Sequence, residues 1–278
     1  MPLLERITVF CFAASYSVAL ILELFQLWRP GHWQRLIGLA FGAAGLLAHT
    51  LYVALQPLPL ASSFGSLLLL AWILAVFYLY GSLHHRRLAW GLFVLPLVLG
   101  LIALAELAPT GVPESGDPFS SLVWSRGERF WGTVHGMLLL LAAVGVCVGF
   151  LASVMYLVQV RRLRAKVAPA QGLRLLSLER IEEMNRRAIL WAFPLLTVGL
   201  LVGIALQLHT GIFLSGWDSP RILSSVLLWL VFAILLYLRY GIHARGRQVA
   251  LLTIMAFALL LLALVSPVHS FSQAGGGP

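Results

Sequence analysis

Long runs of apolar residues, separated by short polar segments, make up most of this chain. At about 1.5 Å of rise per residue, each run is long enough as a helix to cross a hydrocarbon core of roughly 30 Å. Lipid must be the solvent for so many apolar helices, so the pattern predicts an all-α polytopic membrane bundle of about eight transmembrane helices. We place the spans at 7–28, 33–55, 63–83, 88–107, 132–160, 188–209, 221–240 and 248–268.

The composition of the chain agrees with this interpretation. Of the 278 residues, 60% are hydrophobic and only 10% are charged, whereas about 25% of the residues in a typical soluble domain are charged. A helical bundle in a membrane folds as one unit, so we interpret 1–278 as a single transmembrane domain. The two cysteines, Cys11 and Cys147, lie inside apolar runs and form neither a metal motif nor a disulfide framework.

The basic residues predict the orientation of the bundle. Only four of the 19 Lys and Arg residues, namely Arg6, Arg126, Arg129 and Arg221, fall on one face. The positive-inside rule therefore predicts an N-out/C-out topology, and the net charge of +9 reflects loop anchors rather than a nucleic-acid partner. The other fifteen fall in the four alternate connections, as Arg29, Arg35, Arg86, Arg87, Arg161, Arg162, Arg164, Lys166, Arg174, Arg180, Arg186, Arg187, Arg239, Arg245 and Arg247.

Two of the connections are long. The outer loop, 108–131, is rich in Pro, Gly and Ser and becomes aromatic at its end, where Trp131 is the last residue. We expect it to lie on the membrane surface, because aromatic side chains prefer the depth of the headgroups.

The second long connection is the basic cytoplasmic loop, 161–187. Its end carries Glu182 four residues before Arg186, and Glu183 four residues before Arg187. An acidic residue four positions before a basic one favours a helix. We therefore predict a short amphipathic cytoplasmic helix that leads into the sixth span.

Few polar residues lie within the spans. Glu23, near the inner end of the first span, is interpreted as a residue that reaches the headgroups. Gly145 and Gly149 have the Gly-x-x-x-Gly spacing that lets two helices approach closely, so we assign them a packing role.

Histidines are the most informative polar residues. We expect four of them to be interface residues of the basic inner connections: His32, His84, His85 and His243. The other four belong to the outer half of the bundle in the predicted topology. His135 opens the fifth span, His209 closes the sixth, His269 closes the eighth, and His49 lies in the second span about one and a half turns below the outer surface.

This placement favours a haem site at the outer end. Imidazole is a common ligand of haem iron, and haem also requires apolar or aromatic walls and cations for its propionates. The outer face offers all three kinds of group: His135 and His269 as ligands, Trp124, Trp131 and Trp217 as walls, and Arg126, Arg129 and Arg221 as cations. A zinc site is less favoured, because no Cys or carboxylate cluster accompanies these histidines. The residues alone also allow that the histidines are ordinary interfacial residues.

The C-terminal half carries a characteristic order of short segments. They are His135-Gly-Met-Leu, Ser153-Val-Met-Tyr156-Leu, Leu178-Glu-Arg-Ile-Glu-Glu-Met-Asn185, Phe193-Pro-Leu-Leu, Gly216-Trp217-Asp218-Ser-Pro220-Arg221, Trp229-Leu-Val-Phe-Ala, Arg245-Gly-Arg-Gln-Val-Ala and Val268-His269-Ser-Phe271.

This order resembles the cytochrome c assembly family of haem-handling membrane proteins, which includes CcsA, CcmC and the HemX-like proteins. The resemblance covers roughly residues 130–271, and the eight-span length is most similar to the HemX-like branch. In that family a Trp-rich outer loop ending in Trp-Asp is flanked by two histidines that ligate haem. Of the longer motif Trp-Gly-x-x-Trp-x-Trp-Asp, only the final pair is present here, as Trp217-Asp218.

The resemblance implies a set of site residues. By position, His135 and His269 match the two axial ligands of the haem iron, and Trp217 and Asp218 match the end of the loop motif. His49 is similar in position to a membrane-embedded histidine of some members. His209, at the same outer face, is the remaining candidate for contact with the cofactor.

The leading hypothesis is a non-enzymatic haem-binding factor of cytochrome c biogenesis in a bacterial-type cytoplasmic membrane. It would bind b-type, non-covalent haem, contact membrane lipid, and deliver haem to a partner membrane protein of cytochrome c maturation. The alternative is a HemX-like regulator or interaction partner of tetrapyrrole-biosynthesis enzymes, without obligatory haem transfer. A transporter would require mid-membrane ionisable residues and broken helices, which the sequence does not clearly show. A b-type electron-transfer subunit would require paired histidines deep in facing helices, and only His49 qualifies.

Overall fold

The computed structural model describes residues 8–29, 31–55, 62–84, 89–108, 126–166, 176–210, 220–242 and 246–265. Within these ranges the chain forms eight α-helices, in agreement with the predicted all-α class. They are α1 (Val9–Trp28), α2 (His32–Leu55), α3 (Ser63–His84), α4 (Gly91–Leu107), α5 (Arg126–Arg164), α6 (Leu178–Thr210), α7 (Pro220–Leu236) and α8 (Gly246–Val265). Seven of these helices are long and apolar enough to cross a membrane, and α4 is a shorter apolar helix.

Two helices are longer than their predicted spans. α5 has 39 residues, or about 58 Å at 1.5 Å per residue, so it projects well beyond a hydrocarbon core of roughly 30 Å. It takes in the last residues of the predicted outer loop, 126–131, and the first residues of the predicted basic loop, 161–164. α6 is one continuous helix of 33 residues, and the amphipathic segment that we predicted to lead into the sixth span forms its first turns.

The charged turns of α6 form both local and tertiary ion pairs. Glu183 contacts Arg187 at 2.6 Å, at the i,i+4 spacing, and it also contacts Arg186 at 2.6 Å. Glu182 instead lies 3.6 Å from Arg239 on another helix. Arg239 belongs to a π-helical turn, Tyr237–Gly241, that continues α7. Tertiary packing, rather than spacing along α6, therefore selects the partner of Glu182.

The helices form two halves of four. In the N-terminal half, α1 packs on α2 and α4, and α3 packs on α2 and α4. In the C-terminal half, α5 packs extensively on α6 and also on α8, while α7 packs on α6 and α8. The halves meet where α3 and α4 contact α5 and α8.

The α5–α6 pair shows why small residues matter in this bundle. A Cβ atom on Gly145 would lie 2.8 Å from the Cβ of Ala192, and one on Gly149 would lie 3.1 Å from Thr253 Cγ2. The packing role predicted for Gly145 and Gly149 is therefore confirmed. The close approach also brings Asn185 of α6 within 3.1 Å of the Gly149 carbonyl and 2.9 Å of the Ser153 hydroxyl, to both of which its amide donates.

Successive helices alternate in direction across the bundle. One small polar pocket gathers the end of α5, the start of α6, the π-helical turn after α7 and the start of α8, through Tyr156, Glu182, Arg239 and Gly246. This is the end that the arginine distribution predicts to be cytoplasmic, and we call it the inner end. The opposite end, where α1, α3, α5 and α7 begin, is called the outer end.

Candidate functional site

A large cavity lies in the outer half of the C-terminal half of the bundle. Its volume is about 520 Å³, and α5, α6, α7 and α8 supply its walls together with the start of α3. The walls are mainly aliphatic, and they include Leu139, Leu140, Leu196, Leu200, Val226 and Leu260. His135 is the one histidine among the described residues that line it. The cavity therefore combines an apolar chamber with a single imidazole.

The imidazole of His135 is held by a backbone carbonyl of the neighbouring helix. Its Nδ1 atom donates to the carbonyl oxygen of Gly199 at 2.7 Å. A carbonyl oxygen can only accept, so Nδ1 carries the hydrogen, and in the neutral ring the lone pair is on Nε2. An Nδ1–H···O=C bond of this kind fixes the tautomer and orientation of metal-ligating histidines.

Gly203 provides the space that this ring occupies. A Cβ atom at Gly203 would lie 2.6 Å from Cε1 and 2.9 Å from Nδ1 of His135, closer than two non-bonded atoms can pack. Gly199 and Gly203 are four residues apart, so they lie on the same face of α6. One face of α6 thus supplies both the hydrogen-bond acceptor and the space for the ring.

His135 lies between two and three turns into α5. α5 begins at Arg126, nine residues earlier, which places His135 about 13 Å along the helix. Arg126 and Arg129 lie in the first turns of α5, and Arg221 lies in the first turn of α7. The helix positions of these three predicted cations are therefore at the outer end, above the cavity.

Four predicted site residues fall outside the described residues. Trp124 precedes the start of α5 at Arg126, Trp217 and Asp218 precede the start of α7 at Pro220, and His269 follows the end of α8 at Val265. Their roles stay predictions from the sequence. Ala263 and Leu264, in the last turn of α8, line the cavity.

His209 and His135 do not meet in the structure. His209 lies six residues beyond Gly203, which is a rotation of about 600° around the helix axis, or about 120° away from the face that holds His135. Its side chain is exposed. The structure thus places both residues towards the outer end of the bundle. His135 of α5 lies against the glycine face of α6, whereas His209 lies on a different face of α6.

His49 is buried in the other half of the bundle. Its ring has no exposed surface and stacks on Phe12 of α1 with ring centroids 4.1 Å apart. The backbone of Leu68 of α3 lies near the same ring. Ser66 and Leu70 line the cavity from the opposite face of α3, because residues two apart in a helix point about 200° apart. α3 therefore separates His49 from the His135 cavity.

Sequence reasoning missed Gly199 and Gly203. They have the same Gly-x-x-x-Gly spacing that drew attention to Gly145 and Gly149, and that spacing was a signal that α6 also approaches another helix closely. The spacing alone could not show that the group in contact is an imidazole.

Comparison with known proteins gives a consistent result. The profile of a protein family described as "Cytochrome C assembly protein" matches residues 60–270. Among curated proteins, the chain is 25% identical over 254 residues to a cytochrome c biogenesis protein CcsA of Synechococcus sp., covering 73% of this chain and 72% of that protein.

Two further relatives are also CcsA proteins. One from Gloeobacter violaceus is 21% identical over 273 residues, covering 78% of this chain and 79% of that protein. One from Synechococcus elongatus is 25% identical over 299 residues, covering 89% and 90%. No solved structure matches this chain. The profile match begins at residue 60 and so reaches further towards the N-terminus than the segments from which the resemblance was predicted.

Proposed function

Because the chain belongs to the cytochrome c assembly protein family, we propose that it acts in cytochrome c biogenesis by holding haem at the outer end of its bundle for a partner membrane protein. The observation that carries this proposal is the His135 imidazole. It is fixed on the Gly199 carbonyl and lies on the wall of an apolar cavity of about 520 Å³.

The residues of the cavity fit haem as cargo. Pockets that bury small molecules and cofactors have volumes of roughly 300–1,000 Å³ and are mostly apolar, and this cavity matches both properties. The aliphatic walls suit the faces of a porphyrin. A histidine whose Nδ1 is occupied by a carbonyl presents Nε2 as the ligating nitrogen, which is the usual arrangement for a proximal haem ligand.

Four of the predicted site residues have distinct roles in this proposal. His135 supplies one axial ligand from α5, and His269, after α8, supplies the second. Trp217 packs on the porphyrin, and Asp218 orients a ligand or the loop by hydrogen bonding. Two axial imidazoles would keep the iron from binding dioxygen until the cargo is passed on. His49, on the far side of α3, has no part in this site.

The membrane and the orientation that we propose for the protein follow from the same argument. We assign it to a bacterial-type cytoplasmic membrane, with the cavity opening towards the outer face where cytochromes c are matured. The haem is non-covalent in this protein, and its attachment requires the partner.

The direct test is the visible absorption spectrum of the detergent-purified protein after loading with haem. The wild-type protein should show a sharp Soret band with low-spin bis-histidine features, His135→Ala should lose them, and the double variant with His269→Ala should bind no haem. His84→Ala is the matched control, because His84 lies at the inner end of α3 and bonds the Tyr80 carbonyl. Unchanged haem content in the double variant would overturn the ligand assignment. A flat wild-type spectrum would favour the regulatory alternative.

A further inference from the structure

Ionisable and polar side chains run through the N-terminal half of the bundle, where the haem proposal uses none of them. From the inner end outwards they are Glu23 of α1, Tyr78 of α3, Tyr16 of α1 and His49 of α2. We call this row of side chains the file. Tyr78 is 1% exposed, and Tyr16 and His49 have no exposed surface. Side chains of this kind are rare inside membrane bundles and commonly mark ion or proton pathways.

The inner end of the file is where Glu23 meets Tyr78. A Cβ atom on Gly91 of α4 would lie 2.8 Å from both Glu23 Oε1 and Tyr78 Cε2. The carboxylate therefore faces the interior of the bundle, beside α3 and α4. Arg35 of α2 is the nearby cation: it interacts electrostatically with Glu23 and donates to the Ser82 carbonyl at 3.0 Å.

The middle of the file follows one face of α2. A Cβ atom on Gly42 would lie 3.1 Å from Tyr78 Oη. A Cβ atom on Gly45 would lie 2.9 Å from Tyr16 Cε1. These two glycines and His49 lie within seven residues on the buried face of α2, or about 10 Å along the axis. Without side chains at Gly42 and Gly45, the two phenol rings can lie against the helix backbone in sequence.

The outer end of the file is His49. Its Nδ1 lies 3.5 Å from Tyr16 Oη, which is long for a direct hydrogen bond. Beyond it, the Tyr52 ring lies 5.7 Å from that of Phe12, and Tyr52 interacts electrostatically with Glu106 of α4. Titratable groups are thus present from Glu23 near the inner end to Glu106 at the outer end.

The unpaired polar atoms of the described structure all lie along this file or at its inner end. Four buried side-chain atoms have no hydrogen-bond partner there: Gln34 Oε1, His49 Nε2, Tyr78 Oη and Ser82 Oγ. Ser82 lies near the Tyr78 hydroxyl, but the two oxygens do not reach hydrogen-bonding geometry. Buried polar atoms are nearly always paired, and orphaned ones are typically satisfied by internal water.

We propose that Glu23, Tyr78, Tyr16 and His49, bridged by internal water, form a proton path through the N-terminal half of this protein. A proton from the inner face binds the Glu23 carboxylate. Each tyrosine hydroxyl then donates its own proton outward and receives one from the inward side, so that it ends as it began. His49 accepts a proton on one ring nitrogen and releases one from the other, as a neutral imidazole can. The net change is one proton moved, with no electron transfer. The hydroxyl groups then rotate back, and the His49 ring returns to its starting tautomer by proton exchange with the bridging water.

Proton flux into liposomes tests this proposal. The full-length protein is reconstituted with a pH-sensitive dye inside, and a potassium diffusion potential is imposed in each polarity. Wild-type vesicles should change internal pH faster than protein-free vesicles. Removing a group that carries the proton should slow this flux by roughly tenfold or more, so Glu23→Gln and His49→Gln should both be slow.

Isosteric variants separate conduction from packing. Tyr16→Phe and Tyr78→Phe keep the rings against α2 and remove only the hydroxyl groups, so both should fold and both should be slow. Glu183→Gln and His84→Gln are the matched controls, because each changes the same residue type outside the file, and both should conduct like the wild type. Wild-type flux no greater than that of empty vesicles, or full flux in Glu23→Gln and in both phenylalanine variants, would overturn the proposal.

This inference does not depend on the haem proposal. Haem content is measured on the same preparations, and we expect it to be unchanged in all four variants of the file. Loss of flux with haem retained therefore supports the path, whether or not the outer cavity serves cytochrome c biogenesis.

Discussion

The two four-helix halves of this protein differ in how completely their buried polar groups are paired. In the C-terminal half, Asn185 donates to Gly149 and Ser153, and the hydroxyls of Ser153 and Thr253 donate to carbonyls of their own helices. In the N-terminal half, Ser66 donates to backbone carbonyls in the same way, but His49 Nε2, Tyr78 Oη and Ser82 Oγ have no such partners among the described residues. The unpaired buried side-chain atoms of the described structure thus belong to the N-terminal half.

The halves also differ in the use they make of glycine. In the C-terminal half, Gly203 makes room for one imidazole on the wall of a large apolar cavity. In the N-terminal half, Gly42 and Gly45 make room for phenol rings that fill the interior. The same absence of a side chain therefore makes room for a cavity-lining imidazole in one half and for buried phenol rings in the other. Similar hydropathy does not imply a similar interior.

The largest expected effect tests whether the halves act separately. His135→Ala should sharply lower haem binding and leave proton flux unchanged, while Tyr78→Phe should slow the flux and leave haem binding unchanged, because α3 lies between the two sets of residues. Haem per protein and vesicle flux, measured on the same preparations, check this. If either substitution impaired both activities, the division between the halves would be wrong.

A smaller effect is expected when His135 is displaced rather than removed. Gly203→Ala would place a methyl group 2.6 Å from Cε1 of His135, so the ring must move away from the Gly199 carbonyl. Loss of such an orienting contact typically lowers metal affinity by roughly 10–100-fold. Haem titration of the purified variant measures the effect.

Gly100→Ala on α4 is the control for this substitution. Nothing lies within 4 Å of the position that a Cβ atom would take at Gly100, so the added methyl group meets open space. Equal haem affinity in the two variants would show that the contact between Gly203 and His135 does not position the ligand.

The smallest effects concern stability. Asn185→Ala removes two hydrogen bonds between α5 and α6 and should lower the free energy of unfolding by about 1–2 kcal/mol. Ser82→Ala removes a hydroxyl group without a protein partner and should change it by less than about 0.5 kcal/mol. Thermal unfolding in detergent compares the two. A larger loss of unfolding free energy in Ser82→Ala than in Asn185→Ala would contradict the difference that we describe between the halves.

An exposed ion pair provides a reference for these changes in the free energy of unfolding. Arg187 contacts Glu183 at 2.6 Å, but 72% of its side chain is exposed. Exposed pairs contribute roughly 0–1 kcal/mol and are screened by salt. Arg187→Gln should therefore be close to the wild type, and closest at high salt.

Much of the fold could be predicted from the sequence. The predicted spans agree with the helices to within a few residues at most ends, and His49 and His135 both lie towards the end of the bundle where α1, α3, α5 and α7 begin. The differences occur where a helix continues past its apolar run, at Arg126 to Trp131 and at Leu178 to Arg187. Hydropathy detects where lipid contact ends, but a helix ends only where its backbone hydrogen bonds do.

The candidate site was only partly predictable. The choice of His135 followed from its family resemblance and its outer position, and the structure adds the cavity and the Gly199 carbonyl. The separation of His49 and His209 from that cavity could not be predicted, because depth in the membrane depends on sequence position whereas the direction of a side chain depends on helix rotation. A shift of one residue in the contact face turns a side chain by about 100°.

The sequence by itself determined that this is a polytopic membrane protein built of long apolar helices. The physical reason is that lipid leaves backbone groups no partner but the helix itself, so the length of each apolar run sets each span. Only the tertiary structure decided that His135 faces a chamber while His49 joins a file of tyrosines and Glu23. Which helix faces approach each other depends on the fit of small and large side chains between helices, and no property of a single run contains that information.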